Sequence, residues 1–205
     1  KELYHAHAQR LALMLQNQTE EEFADSRFQV LSELTRLRQL CCDPALVYEN
    51  YEGGSAKLDL CIELIQSAVE SGHKILLFSQ FTSMIEILTA RLQEESISCF
   101  VLQGSTKKEQ RAQMVEQFNR DDTSVFCISL KAGGTGLNLT GADIVIHYDP
   151  WWNVAVENQA TDRAHRIGQK NVVTVYKLIA KGTIEEKIIK LQQMKKELAE
   201  EILSG

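Results

Sequence analysis

Three side chains suited to phosphate binding follow one another at spacings of four and three residues: Gln159, Arg163 and Arg166. On a helix that turns about 100° per residue, these spacings place an amide and two guanidinium groups on one stripe. A guanidinium group is always charged and presents a fixed fork of donors, so two in register suit a phosphate chain better than one carboxylate does. The stripe predicts a helix over 154–167 that faces a polyanion, and a solvated surface face is the alternative.

An apolar flank accompanies this stripe on the same helical wheel. Its members are Val156, Ala160, Ala164 and Ile167. A helix with one apolar and one polar sector usually buries the first and presents the second. We therefore expect the flank to be buried and the charged stripe to face a cleft.

A loop rich in glycine precedes this region, and it contains Lys131, Gly133, Gly134, Thr135 and Gly136. Glycines let backbone N–H groups approach a phosphate closely. The loop matches neither Gly-x-Gly-x-x-Gly nor Gly-x-x-x-x-Gly-Lys-[Ser/Thr], so it predicts neither a dinucleotide fingerprint nor a Walker A loop. A simple tight turn is the alternative, although such a turn needs one glycine and not three.

Two further loops carry polar groups after apolar runs. One contains Gln80, and the other contains Gly104, Ser105 and Thr106. Hydroxyl and exposed N–H groups at the start of a helix form a ready anion site. Ordinary capping of the helix by Thr106 explains the second loop equally well, because caps use the same residue types.

Both tryptophans of the chain, Trp151 and Trp152, stand side by side after an apolar run. Burial in the core is the usual position of such a residue. Two neighbours cannot easily both point inward, so we expect one of them to be an exposed platform for a base or a sugar.

Alternating helices and short apolar runs connect these loops. The predicted strands are 74–79, 97–102, 124–129, 143–148 and 172–178, and helices are predicted at 57–70, 83–95, 106–119 and 154–167. The runs are almost uninterrupted, which is typical of parallel strands covered on both faces by crossover helices. The pattern predicts an α/β fold with a doubly wound parallel sheet, whose ligands bind at the carboxyl ends of the strands.

The two ends of the chain have helical patterns. Residues 1–42 predict two helices, and we expect a helical protrusion and connector at 1–56, a central lobe at 57–182 and a brace helix at 183–205. Three capping boxes predict helix starts. They pair Ser83 with Glu86, Thr106 with Glu109 and Thr183 with Glu186.

Composition sets broad limits. The chain has 205 residues, 44% of them apolar, and a net charge of −6, which argues against nucleic-acid binding by bulk charge. Acidic and basic residues are equal in number over 103–170, so local patches would have to attract a phosphate backbone. Five cysteines without a Cys-x-x-Cys pair predict neither a zinc site nor disulfides, and we expect no metal site. Without a membrane span or signal peptide, we expect an intracellular location, in a cytoplasm, nucleoid or nucleus.

Five segments in consecutive order resemble the second-lobe motifs of Swi/Snf-type ATPases, which are superfamily 2 DNA translocases. The segments are Lys-Ile-Leu-Leu-Phe-Ser-Gln-Phe, Gln-Gly-Ser-Thr-Lys, Ser-Leu-Lys-Ala-Gly-Gly-Thr-Gly-Leu-Asn-Leu, Ala-Asp-Ile-Val-Ile-His-Tyr-Asp-Pro-Trp-Trp-Asn and Gln-Ala-Thr-Asp-Arg-Ala-His-Arg-Ile-Gly-Gln. They cover residues 57–190. The resemblance implies the second RecA-like lobe of a P-loop NTPase-like fold.

The resemblance also implies roles for particular residues. Arg163 and Arg166 would reach the γ-phosphate of ATP held by the first lobe, with Gln159 at the start of the same motif. Gly136 and Asn138 would face the nucleotide. The residues implied to grip the phosphates of one DNA strand are Gln80, Gly104, Ser105, Thr106, Lys131, Gly133, Gly134, Thr135 and Trp151.

The implied cofactors are ATP and Mg²⁺, both bound mainly by a first lobe that this chain lacks. The implied partners are that N-terminal lobe, double-stranded DNA and a DNA-bound protein substrate. Because the chain has no Walker A sequence, we expect the isolated 205 residues to be inactive. A non-catalytic DNA- or protein-binding module is the alternative, and a nucleotide-binding oxidoreductase domain is disfavoured because no glycine fingerprint follows the first strand.

Overall fold

The computed structural model of the chain describes residues 1–16, 19–130 and 137–204. Its strands are β1 (Ile75–Ser79), β2 (Cys99–Leu102), β3 (Val125–Ser129), β4 (Ile144–His147) and β5 (Thr174–Lys177). They form one sheet in the order β2-β3-β1-β4-β5, and every neighbouring pair is parallel. The predicted parallel α/β fold is therefore confirmed, and each strand lies inside its predicted range.

The described ranges contain seven α-helices. They are α1 (Glu2–Gln16), α2 (Glu20–Cys42), α3 (Ala56–Glu70), α4 (Thr82–Glu94), α5 (Lys108–Arg120), α6 (Val154–Thr161) and α7 (Ile184–Ser204). A short 3₁₀ helix, Pro44–Leu46, follows α2. Within the described ranges, no helix has the length and apolar character needed to cross a membrane.

Helices cover the sheet on both faces, because successive strand residues point in opposite directions. Leu77 belongs to a core shared with α3 and α4, where it is buried together with Leu88. Its neighbour Leu76 belongs to a second core, which α5 and α6 close with Phe118 and Ala160. The sheet is thus doubly wound, as predicted. β5 differs, since it lies at the outer edge and all four of its residues are exposed.

A third apolar cluster joins the two ends of the chain. In it α1 and α2 pack against the first turns of α7, and its buried members include Leu11, Leu37 and Ile188. A buried ion pair between Lys57 and Glu185, 2.7 Å long, ties α7 to α3. The last helix is therefore fastened to both the amino-terminal helices and the central sheet.

The predicted helix starts are correct to within two residues, but the predicted capping boxes are wrong. α4 begins at Thr82 and has no side-chain cap, so Ser83 lies inside the helix. α5 begins at Lys108, because the Thr106 hydroxyl accepts a hydrogen bond from the N–H of Gln103 and not from the helix. At α7 the Thr183 hydroxyl does accept from the Glu185 N–H. The reciprocal carboxylate there is that of Glu185, which accepts from the N–H of Ala180.

Candidate functional site

The predicted site residues that the structure describes lie at the carboxyl edge of the sheet or on segments that adjoin it. Because β1 to β4 are parallel, the loops that leave them emerge at this one edge. Five of the predicted residues lie outside the described residues: Lys131, Gly133, Gly134, Thr135 and Gly136. Their roles stay predictions.

The ends of β1 and β4 are joined by a buried carboxylate. The Ser79 hydroxyl donates to Asp149 at 2.5 Å, and the Gln80 N–H donates to the other carboxylate oxygen at 3.2 Å. Burial raises the pKa of Asp149 to about 6, and the hydrogen bond from Ser79 acts in the opposite direction. The Gln80 side-chain amide donates to the Pro150 carbonyl at 2.7 Å, so this predicted DNA contact already holds two loops together.

The two tryptophans separate as predicted, but the exposed one is not the one that the resemblance implies. Trp151 is 2% exposed and packs edge-on against Phe78 and His147. Its indole is therefore buried in this lobe, and the predicted DNA contact of Trp151 stays a prediction. Trp152 is 39% exposed and forms the aromatic surface at this edge.

The helix that carries the arginines is shorter than predicted. α6 ends at Thr161, and the next residues form turns. From Arg163 onward the backbone bonds span three residues and not four, since the Arg163 N–H donates to the Ala160 carbonyl at 3.3 Å and the Ala164 N–H donates to the Thr161 carbonyl at 3.1 Å. The Arg163 carbonyl accepts from the N–H of Leu139 at 3.0 Å, and the Ala164 carbonyl accepts from the Gln169 side chain at 3.0 Å. We call residues 162–169 the arginine segment, and the prediction of one continuous helix over 154–167 is wrong.

This early end separates the predicted stripe. Gln159 and Arg166 are exposed, whereas Arg163 is 4% exposed and lies over the Phe78 ring, 5.6 Å from its centroid. Burial, together with the neighbouring charge of Arg166, lowers the pKa of Arg163 to about 10. Ile167, predicted to be buried, is fully exposed because it belongs to the turns and not to the helix. The arginine segment therefore has one buried guanidinium, that of Arg163, and one exposed guanidinium, that of Arg166.

Gln169 holds the arginine segment to the rest of the molecule, a role that no sequence pattern indicated. Its side-chain N–H₂ donates to the carbonyls of Thr140, Ala142 and Ala164, at 3.1, 2.7 and 3.0 Å. Its side-chain oxygen accepts from the N–H of Asn171 at 2.9 Å. We call these bonds the Gln169 clamp. Gly168, with φ of 105°, makes the sharp turn into it, a conformation that glycine adopts at little cost.

A second set of buried hydrogen bonds and ion pairs, made by Glu157 and His147, fixes α6 against the sheet. The Glu157 carboxylate is fully buried, accepts from the Trp151 N–H at 3.2 Å and pairs with Lys177 of β5. His147 bonds Thr161 at 2.9 Å and stacks on Phe78. Burial lowers the pKa of His147 to about 4, so the ring is neutral near pH 7.

Asn119 of α5 holds the loop at residues 138–141. The Asn119 side chain donates to the Asn138 carbonyl and accepts from the Gly141 N–H, both at 2.8 Å. A Cβ atom on Gly141 would lie 2.9 Å from the Asn119 backbone, so this close approach requires glycine. The side chain of Asn138 itself stays exposed at the edge, where the sequence predicts a nucleotide contact.

The loop after β2, residues 103–107, presents Gly104 and Ser105 to solvent. Arg111 of α5 holds it from one side. Its guanidinium donates to the carbonyls of Thr106 at 2.8 Å and of Gly104 at 3.2 Å. Sequence reasoning missed this role too, because a basic residue in the first turns of a surface helix has no distinctive pattern.

Residues 56–168 match the family described as Helicase conserved C-terminal domain. The chain is 45% identical over 86% of its length to the putative ATP-dependent helicase/translocase YwqA of Bacillus subtilis. It is also 45% identical over 74% of its length to the human chromatin-remodeling ATPase INO80. The chain spans a fifth of the bacterial relative and a tenth of the human one, 20% and 10% of their lengths.

The fold is similar to that of a Swi/Snf enzyme solved with DNA. The Sulfolobus solfataricus SWI2/SNF2 ATPase core in complex with dsDNA superposes with a TM-score of 0.81 and is 34% identical. The match covers 99% of this chain and 43% of that one. The similarity therefore extends over both ends of the chain as well as its central sheet.

Proposed function

The chain belongs to the helicase conserved C-terminal domain family and is the C-terminal lobe of a Swi/Snf-type ATPase, and from that premise we propose that it is half of an ATP-dependent translocase on double-stranded DNA. In this proposal the lobe supplies arginines to ATP held by a first lobe and grips the phosphates of one DNA strand. A protein bound to that DNA is the object that the movement displaces or remodels.

One observation carries the catalytic part of the proposal. Arg166 presents an exposed guanidinium at the carboxyl edge, beside the buried guanidinium of Arg163 and on a segment fixed by the Gln169 clamp. Phosphoryl transfer is catalysed almost entirely by positioning and by charge stabilisation, and an arginine delivered from outside the nucleotide site is one of its recurring parts. Arg166 would stabilise the charge that develops on the transferred phosphoryl group, and Arg163 would hold the segment in place and add to the local positive field.

Neighbouring residues would complete the face toward the nucleotide. Gln159 is exposed one turn before the arginine segment, and Asn138 is exposed on the loop that follows β3. Both side chains carry an amide that can bond a phosphate oxygen, a sugar hydroxyl or a water molecule. Gly136 lies outside the described residues, and its contact with the nucleotide stays a prediction.

ATP and Mg²⁺ are assigned to the first lobe. The sequence contains no Gly-x-x-x-x-Gly-Lys-[Ser/Thr], and within the described residues no group of three His, Cys, Asp or Glu side chains could hold a metal ion. The arginines do fit the triphosphate, since their charge and planar forks complement phosphate oxygens. When bound, Mg²⁺ would neutralise phosphate charge from the side of the first lobe, and this chain would do so from the other side.

The proposed DNA face combines two groups of residues. Gly104, Ser105 and Thr106 offer backbone and hydroxyl donors on the loop held by Arg111, and Lys131 and its neighbouring glycines keep their predicted role. Phosphate contacts carry little sequence information, so binding should depend on salt concentration far more than on base sequence. The exposed Trp152 adds an aromatic surface to this face, and the contact of Trp151 stays a prediction.

Steady-state ATP hydrolysis, measured with and without duplex DNA, tests the proposal. The measurement is made on this chain alone and on the chain joined to its natural upstream lobe. We expect the isolated chain to be inert and the joined protein to be strongly stimulated by duplex DNA. A joined protein that hydrolyses ATP but ignores DNA would refute the translocase, and one that binds DNA without hydrolysing ATP would favour the binding module.

The division of the chain into 1–56, 57–182 and 183–205 is also a proposal. The separate apolar cluster of α1, α2 and the first turns of α7 supports it. The buried pair of Lys57 and Glu185 shows that the last helix is nonetheless fixed to the central lobe.

A further inference from the structure

The guanidinium of Arg38 contacts two aromatic rings at the carboxyl edge. Its central carbon is 5.4 Å from the centroid of the Phe81 ring and 5.6 Å from that of the Trp152 ring. Phe81 follows β1 and Trp152 follows β4, so a single side chain from α2 touches both loops. One of the two rings, Trp152, is the aromatic surface exposed at this edge.

The position of Arg38 is fixed by bonds at the end of its helix. The carbonyl of Cys42, one helical turn after Arg38, accepts from the Tyr148 hydroxyl at 2.9 Å and from the Ser55 hydroxyl at 3.0 Å. Tyr148 precedes Trp152 by four residues. The end of α2 and the chain leaving β4 therefore run side by side, with a hydrogen bond at one level and the guanidinium contact at the next.

This guanidinium is committed to the rings and not to an ion pair. Arg38 is half-buried, and its Nη2 atom has no hydrogen-bond acceptor among the residues that the structure describes. Burial lowers the pKa of Arg38, and the charge of Asp149 acts in the opposite direction. A guanidinium is attracted to aromatic faces, and the attraction grows when water is excluded. Arg36, two residues earlier, is exposed and pairs with Glu33 at 3.3 Å.

We propose that Arg38 is a positioning residue that holds the exposed indole of Trp152 as a rigid contact surface for duplex DNA. The inference rests on the proposed function and gives the amino-terminal helices a part in it. A side chain that is already ordered before binding costs less entropy when the DNA arrives. An aromatic face also serves any base or sugar, which agrees with binding that does not depend on sequence.

Fluorescence quenching by acrylamide tests the contact without DNA. The chain has two tryptophans, and Trp151 is buried, so the quenchable signal comes from Trp152. Arg38→Met should increase the quenching constant, because the indole loses its cover on one side, and Arg38→Lys should increase it less. The matched control is Arg36→Met on the same helix, which should leave quenching unchanged.

DNA-stimulated ATP hydrolysis by the two-lobe protein tests the role. Arg38→Met should raise the duplex concentration that gives half-maximal stimulation about threefold, as expected for loss of one cation–aromatic contact. The effect should appear in this concentration more than in the maximal rate. In a Trp152→Ala background, Arg38→Met should have no further effect on it, because Arg38 acts through the indole.

The outcomes separate this inference from the function on which it rests. If the unsubstituted two-lobe protein shows no response to duplex DNA, both fall. If that response is normal but Arg38→Met changes neither quenching nor half-saturation, only the role of Arg38 falls. An equal effect of Arg38→Met with and without Trp152 would also overturn it, since Arg38 would then act on the fold and not on the indole. Circular dichroism of each variant establishes that it is folded, and Arg38→Lys replaces Arg38→Met if the latter is not.

Discussion

The arginine segment and the loop after β2 are each held by one long side chain that bonds several carbonyls, but the two arrangements differ in reach. Gln169 joins its own segment to the carbonyls of Thr140 and Ala142, which lie 29 and 27 residues earlier in the chain. Arg111 bonds carbonyls of the loop only five to eight residues before it, at residues 103–106. The first arrangement fixes a segment relative to the sheet, whereas these bonds of Arg111 shape the loop relative to its own helix.

This difference agrees with the two proposed tasks. A guanidinium that stabilises a transition state must be placed within about 0.5 Å of its productive position, and a misplacement of about 1 Å can lower a rate a hundredfold. A loop that grips a DNA phosphate makes contacts that carry no sequence information and tolerates small shifts. The tertiary clamp therefore lies under the proposed catalytic group, and the local one lies under the proposed DNA contact.

The largest effect should follow from removing the exposed arginine of the segment. Arg166→Ala in the two-lobe protein should lower DNA-stimulated kcat by about 10³- to 10⁵-fold, the range known for arginines that act on a transferred phosphoryl group. Because the Arg166 side chain is exposed, the free energy of unfolding of the chain should change by less than about 0.5 kcal/mol. Lys170→Ala removes the same charge from an exposed position four residues later and should leave kcat near its normal value. A rate near normal in Arg166→Ala would end the catalytic reading of the segment.

The clamp itself should matter next. Gln169→Ala removes the two N–H donors that three carbonyls share, and at about 0.5–1.5 kcal/mol for each hydrogen bond the free energy of unfolding should fall by about 1–3 kcal/mol in urea denaturation. The same variant should lower kcat, since Arg166 loses its fixed position. Gln169→Glu is nearly isosteric but turns an oxygen toward the three carbonyls, so it should be at least as harmful.

An exposed glutamine provides the comparison for this variant. Gln193 bonds Glu197 at 3.0 Å on the surface of α7, and Gln193→Ala should change neither stability nor rate. If Gln169→Ala lowers stability while kcat stays normal, the clamp supports the fold without positioning the arginine, and the contrast drawn with Arg111 is wrong.

Sequence reasoning succeeded where local pattern decides the structure. The strands were predicted because parallel strands buried on both faces read as continuous apolar runs, and β1, β3 and β4 are buried along their whole length. The Gln159, Arg163 and Arg166 spacing predicted one continuous helix, whereas α6 ends at Thr161, and the role of the three residues stays a prediction. The end of α6 at Thr161 could not be predicted, because the segment after it is held by tertiary bonds, from the Leu139 N–H to the Arg163 carbonyl and from the Gln169 side chain to the carbonyls of Thr140 and Ala142.

Other details were missed for the same physical reason. The pair of tryptophans predicted that one ring is exposed. The sequence could not show that Trp151 is the buried one, because its burial depends on packing against the Phe78 and His147 rings in the folded state. A capping box at Thr106 failed because its hydroxyl bonds the N–H of Gln103 within the loop. Gln169 and Arg111 are single polar residues whose importance lies entirely in which carbonyls they reach.

Two buried groups near the carboxyl edge, His147 and Asp149, should make the free energy of unfolding depend on pH in opposite directions. His147 has a pKa lowered to about 4, so its contribution to stability is present above about pH 6.5, the usual pKa of histidine, and is lost as the pH falls toward 4. Asp149 has a pKa raised to about 6 from 3.8, so its contribution is present below about pH 3.8 and is lost as the pH rises toward 6. His147 lies under the arginine segment and Asp149 under the joint of β1 and β4.

Single substitutions at His147 and Asp149 should separate their two effects on the pH dependence of the free energy of unfolding. In Asp149→Asn only the histidine effect remains, so between pH 6.5 and about 4.5 this variant should lose about 2 kcal/mol more of its free energy of unfolding than the unsubstituted chain does. In His147→Phe the slope over the same range should shift in the opposite direction. Urea denaturation at several pH values measures both. If the free energy of unfolding depends on pH in the same way in all three proteins, then the fold does not shift the pKa of either His147 or Asp149.

The smallest effect should come from the local clamp, and its kind matters more than its size. Arg111→Ala removes the donors to the carbonyls of Gly104 and Thr106, so the loop should sample several shapes and the duplex concentration for half-maximal ATP hydrolysis should rise about three- to tenfold. Arg120→Ala, on the same helix and paired with Glu116 on the surface, removes an equal charge and should have little effect. If Arg111→Ala instead lowers kcat at saturating DNA, then the loop after β2 is as strictly positioned as the arginine segment. The bonds of Arg111 within the loop would then contribute to catalysis, like the long-range bonds of Gln169. This result would mean that the whole carboxyl edge, and not the arginine segment alone, must be held in position relative to the phosphates.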